Sequence, residues 1–130
     1  MVVADTNVWA RAYLNDDQAQ ARTARRALAE AQAKGGVFVP GIVLAELAWV
    51  LRARWERGRV LEALECLLQT RGVAVEAPNL VREAIEAARS GGSGGFADHL
   101  VAQIGFANGA EEIITFDGKF GRAANVRRLK

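Results

Sequence analysis

Four short apolar runs limit what this chain can fold into: Val2-Val3-Ala4, Val37-Phe38-Val39, Val73-Ala74-Val75 and Ile113-Ile114-Thr115. Each is too short for a helix and suits a buried strand. Longer stretches separate them, with apolar residues recurring every three or four positions. Residues 17–33 place Ala24, Ala27, Leu28 and Ala31 on one face, and Ile42 to about Arg57 carries Val43, Leu47, Val50 and Leu51. Gly58 divides that stretch from a second helix with Leu61, Leu64, Leu67 and Leu68, predicting a helical hairpin. Pro78-Asn79 opens a helix with Val81, Ala84, Ile85 and Ala88 inward, and Phe96 to Asn108 forms another with Ala97, Leu100, Val101 and Ile104 inward. Val126 to Leu129 adds an edge strand. Strands separated by helices, rather than by two-residue hairpin turns, predict an α/β sandwich with parallel strands and crossover helices.

A chain of 130 residues has room for one hydrophobic core, so a single domain over 1–130 is expected to carry the whole function. The hydrophobic share of 51% and charged share of 25% fit a folded domain and exclude a disordered one. Met-Val-Val-Ala-Asp at the start lacks the basic lead of a secretory signal, and no apolar run spans a membrane, so a cytoplasmic location is expected. The single Cys66 cannot form an internal disulfide and reads as a passive thiol. A net charge of +2 permits a nucleic-acid partner without requiring one.

Acidic residues carry the chemistry. Asp5 falls just after the first strand, at the carboxyl end where ligands of parallel sheets bind, although Asp there also serves as a helix cap. Glu46 lies among Val43, Leu47 and Val50, a spacing that predicts a carboxylate on the buried face. Such a charge demands a partner, either an arginine such as Arg52 or Arg54 or a metal. Asp98 sits in the first turn of its helix, just past Gly91-Gly92-Ser93-Gly94-Gly95, where a capping role and a cleft-edge role are both open. Asp117 follows the last buried run and precedes Gly118, a pairing that also makes turns. Convergence of these four acids at one end of the sheet is the expectation, and a hard divalent cation with oxygen ligands is the usual remedy for such crowding. One histidine, His99, excludes a His-pair zinc site and a Ser-His-Asp triad.

In this order the residues resemble the PIN domain, and most closely the VapC-type toxin ribonucleases of bacterial toxin–antitoxin pairs. The resemblance spans nearly the whole chain. It rests on Val3-Ala4-Asp5-Thr6-Asn7, Val39-Pro40-Gly41-Ile42-Val43-Leu44-Ala45-Glu46-Leu47, Phe96-Ala97-Asp98 and Thr115-Phe116-Asp117. It implies a three-layer α/β/α sandwich with a central, mostly parallel sheet, and endoribonuclease activity dependent on Mg²⁺ or Mn²⁺. It also implies a homodimer and a cognate antitoxin protein. By position, Asp5, Glu46, Asp98 and Asp117 would form the catalytic and metal-binding set, supported by Asn7 and Thr115. His99 and the glycine-rich loop depart from the family pattern. Arginines near residues 22–26, 52–59 and 122–128 can supply the positive approach that RNA needs, although any one of these clusters reads first as an ordinary solvated surface. Trp49 and Trp55 would meet an antitoxin or a second subunit, unless they belong to the core. The competing reading is a catalytically silent PIN-like module that binds RNA or protein. An aspartate-nucleophile phosphatase is disfavoured, because Asn7 stands where its second acid is needed.

Overall fold

The computed structural model describes residues 1–130 and contains six α-helices and five short strands. Strand β1 (Val2–Val3) leads to α1 (Thr6–Leu14) and α2 (Gln18–Ala33), and β2 (Val37–Val39) to α3 (Gly41–Arg52) and α4 (Arg57–Gln69). Strand β3 (Val73–Val75) is followed by α5 (Pro78–Arg89) and α6 (Phe96–Ala107). The chain closes with β4 (Ile113–Thr115), a 3₁₀ turn (Phe120–Arg122) and β5 (Val126–Arg128). All pairings are parallel: Val2 opposes Val37, Val37 opposes Val73, and Ile113 opposes Val126. Pairs of α-helices carry the crossovers from β1 to β2 and from β2 to β3, as the spacing of helices between strands predicts, whereas β4 reaches β5 through the 3₁₀ turn alone.

The sheet is divided rather than continuous. One piece runs β1-β2-β3 and the other is the pair β4-β5. Central β2 is sheathed, with Val37 and Val39 fully buried, whereas β1 pairs on one side only and leaves Val2 50% and Val3 59% exposed. Ile114 of β4 is likewise 56% exposed. The expectation that the first and last runs are buried strands is thus corrected. Each forms a strand, but each is an edge of a separate sheet.

Helix α3 supplies the middle of the core. Val43, Leu44, Leu47, Ala48 and Leu51 are buried and join Leu61 and Leu64 of α4 in one cluster with Val81, Ala84, Ile85 and Ala88 of α5. Removing one such leucine side chain typically costs about 2–5 kcal/mol. The α3–α4 break comes earlier than Gly58: α3 ends at Arg52, and Gly58 lies inside the first turn of α4. The N–H groups of Arg54 and Trp55 both donate to the Leu51 carbonyl, closing α3, while the Arg57 guanidinium donates to the carbonyls of Ala88 and Gly94 and fixes where α4 begins. On α6 the inward set is Phe96, His99, Leu100 and Ala102; Val101 and Ile104, expected inside, are 59% and 44% exposed.

Candidate active site

The carboxyl end of β1 runs into Asp5, whose extended backbone (φ −67°, ψ 158°) makes it the N-cap of α1. One oxygen, Oδ1, accepts the Thr6 N–H at 2.8 Å. Thr6 turns its hydroxyl the other way and donates to Glu46 Oε1 at 2.9 Å, across a sequence separation of 40. A single threonine therefore ties the exit of β1 to the middle of α3. No ion pair involves Asp5 or Glu46. The arginines that would have neutralised Glu46 are engaged elsewhere: Arg54 pairs with Asp16 at 3.4 Å, and Arg52 donates to the Trp55 carbonyl at 3.1 Å.

Asp5, Thr6, Asn7 and Glu46 line an open cleft of about 840 Å³ between α1 and α3. Arg11, Asp16, Arg52 and Arg54 edge it, and Trp49 stands within it. Asp16 is answered by Arg11 at 3.2 Å as well as by Arg54, so the unanswered negative charge of the cleft is that of Asp5 and Glu46. Glu46 is exposed, which corrects its expected place on the buried face.

The other acids are held apart from this pair. Asp98 is half-buried and its Oδ2 accepts the Gly95 N–H at 3.2 Å, so the capping role applies. It lines a separate recess of about 280 Å³ between α3, α4 and α6, with Trp49 on the wall common to both cavities. Asp117 accepts the N–H groups of Lys119 and Phe120, each at 2.8 Å, and so builds the turn into the 3₁₀ segment. The Phe120 N–H first, then that of Lys119 and the charges of Lys119 and Arg128, hold its carboxyl below the usual aspartate range. Thr115 Oγ1 accepts the Asp117 N–H at 3.0 Å and supports this turn rather than the cleft. No group of three or more potential metal-ligating side chains is assembled, so the expected four-acid convergence is reduced to a pair.

That pair still fits a hard cation. Its donors are carboxylate oxygens with an amide beside them, and magnesium commonly binds through one or two carboxylates while keeping several waters. Thr6 and Glu76 are contributions the sequence reading missed. Thr6 was visible only as a neighbour of Asp5; Glu76 follows β3 and its Oε1 accepts the Gly41 N–H at 2.7 Å, capping α3 where Pro40 offers no side-chain cap. His99 is buried at 4% exposure, its ring edge-on to Phe120 at 5.7 Å and its Nε2 3.3 Å from the Ser93 hydroxyl, away from the acid pair.

Parallel strands with crossover helices, and unpaired acids just beyond the first strand, define an α/β domain that keeps its polar site at the strands' carboxyl ends. The sequence matches the PIN domain family over residues 2–126, and the chain belongs to that family. No curated protein matches it. Among solved structures, the chain is similar to VapC20 of Mycobacterium tuberculosis, described as a sarcin-ricin loop cleaving toxin, at 23% identity over 97% of each chain and a TM-score of 0.48.

Proposed function

We propose that this chain, as one domain over 1–130, is a divalent-metal-dependent endoribonuclease, the toxin of a VapC-type toxin–antitoxin pair. The observation that carries the reading is the meeting of Asp5 and Glu46 in one open cleft with no cation on either. Structural carboxylates at a surface are ordinarily solvated singly or ion-paired. Here one threonine holds two together, its backbone N–H on Asp5 and its hydroxyl on Glu46, which costs repulsion unless a cation or its equivalent arrives.

Asp5 Oδ1 is spent on the Thr6 N–H and Glu46 Oε1 on the Thr6 hydroxyl, which leaves the second oxygen of each without a protein partner. Those two oxygens, with the Asn7 amide alongside, would hold Mg²⁺ or Mn²⁺. A cation bound there supplies charge neutralisation at the phosphodiester and a bound water of lowered pKa. Thr6 fixes the Glu46 carboxylate so that its free oxygen faces the cleft, where it would hold the cation directly or through a bound water. Asp98 at the start of α6 and Asp117 beyond β4, with Thr115 behind it, stand apart from this pair and are left out of the cation's ligands in this reading. RNA is the substrate. A cognate antitoxin, a homodimer and a cytoplasmic location complete the proposal.

Incubating wild type and Asp5→Asn with a mixed RNA pool in Mg²⁺, Mn²⁺ or chelator tests it. Wild type should cut only with metal, and Asp5→Asn should not cut at all. Asparagine caps a helix about as well as aspartate, so the variant keeps its fold. Metal-dependent cleavage by Asp5→Asn would reject the assignment, and RNA binding without cleavage by wild type would favour the silent-module alternative.

A further inference from the structure

The chain's three tryptophans are treated very differently. Trp9 is buried at 4% exposure. Trp55 is half-buried, with Arg59 over its ring at 3.9 Å and Tyr13 against its edge. Trp49 is 79% exposed, and neither an aromatic ring nor a cation stacks on it. An indole left so bare in water is an unused apolar face, and on the same helix Ile42, seven residues earlier, is also 71% exposed.

Its position gives that face a use. Trp49 follows Glu46 by three residues on α3, just under one turn and about 4.5 Å along the axis. It lines the acid cleft on one side and the recess beside Ala48, Leu61, Phe96 and Asp98 on the other. Arg52 lines both cavities and has no carboxylate partner; Arg57 joins it at the recess. An aromatic plate flanked by unneutralised guanidinium groups, next to a site for a phosphate, is the arrangement that receives single-stranded nucleic acid.

We propose that Trp49 is the platform on which an unpaired RNA base stacks beside the phosphate that a cation held by Asp5 and Glu46 would receive, with Arg52 contacting the neighbouring backbone. This inference rests on the nuclease reading above. Charge favours a base with its phosphate over an apolar protein helix, because Arg52 and Arg57, which line the recess beside Trp49, have no carboxylate partner.

The test uses the full chain, a mixed-sequence single-stranded RNA oligonucleotide, and the same oligonucleotide carrying abasic residues. In chelator, indole emission of wild type should be quenched by the intact oligonucleotide and much less by the abasic one, and Trp49→Phe should show no quenching. With metal, Trp49→Ala should raise KM by about 5- to 100-fold with little change in kcat, and Trp49→Phe should restore it, since any aromatic ring offers a stacking face. Abasic substitution should cost wild type a similar factor and add little in Trp49→Ala. An unchanged KM in Trp49→Ala, or equal behaviour of intact and abasic RNA, overturns the platform while leaving the nuclease standing. Quenching by RNA without any cleavage keeps the platform and removes the nuclease. Emission that responds to the protein's own concentration but not to RNA assigns the face to a second copy and overturns the proposal.

Discussion

His99 is the one polar or charged residue in the buried set, and burial, ahead of every other influence, pushes its pKa below the usual 6.5. The charge of Asp98 and the contact with Ser93 pull the other way, and Arg57 adds to the lowering. Above about pH 6.5 the ring is neutral in both folded and unfolded chains and costs nothing. Below it the unfolded chain takes up the proton first, so stability falls as pH falls until the folded ring also titrates. Urea midpoints from about pH 8 to about pH 5 should decline for wild type, and His99→Gln should flatten that decline above the carboxylate range. Glu46 shows how a single residue escapes a pattern. The buried face of α3 takes in Leu44 and Ala48 as well as Val43, Leu47 and Leu51, and at 100° per residue Glu46 stands about 130° from its centre. Counting Val50 in the stripe instead moves the apparent centre toward Glu46, although Val50 is only half-buried.

The helices differ in how plainly their sequences declare them. In α5 the apolar residues fall on one side only, and Val81, Ala84, Ile85 and Ala88 are all buried as their spacing predicts. Helix α6 is apolar nearly all round, so its period cannot choose a face, and Val101 and Ile104 point outward. Strands were legible as runs, but two or three residues of pairing carry no information about which edge stays open. Before α5, Ala77 adopts the left-handed region (φ 45°), where its Cβ crowds the backbone. Ala77→Gly should therefore stabilise the protein by about 0.5–1 kcal/mol net of glycine's greater unfolded freedom, read as a higher urea midpoint at constant slope. A lower midpoint would mean that the alanine methyl contributes packing worth more than the strain it carries.

Across the whole molecule, the divided sheet leaves both β1 and β4 with an unpaired edge, and Phe116 just beyond β4 is 72% exposed. Phe116→Ser should shift unfolding free energy by no more than about 0.5 kcal/mol. A loss of several times that size would place this ring in a packed interface in solution. The site was half legible for the same reason the sheet was. Asp5 and Glu46 are brought together by α1 and α3, which pack on one core, whereas Asp117 travels with the β4-β5 pair and Asp98 answers to its own helix start. One side chain limits how far that last region can rearrange. Arg57 grips the Ala88 carbonyl at one shoulder of the glycine-rich segment and the Gly94 carbonyl, at 2.6 Å, at the other. Both bonds leave one guanidinium nitrogen, so the run from Gly91 to Ser93 begins and ends at points tied to the head of α4, and loss of that single side chain would release both at once.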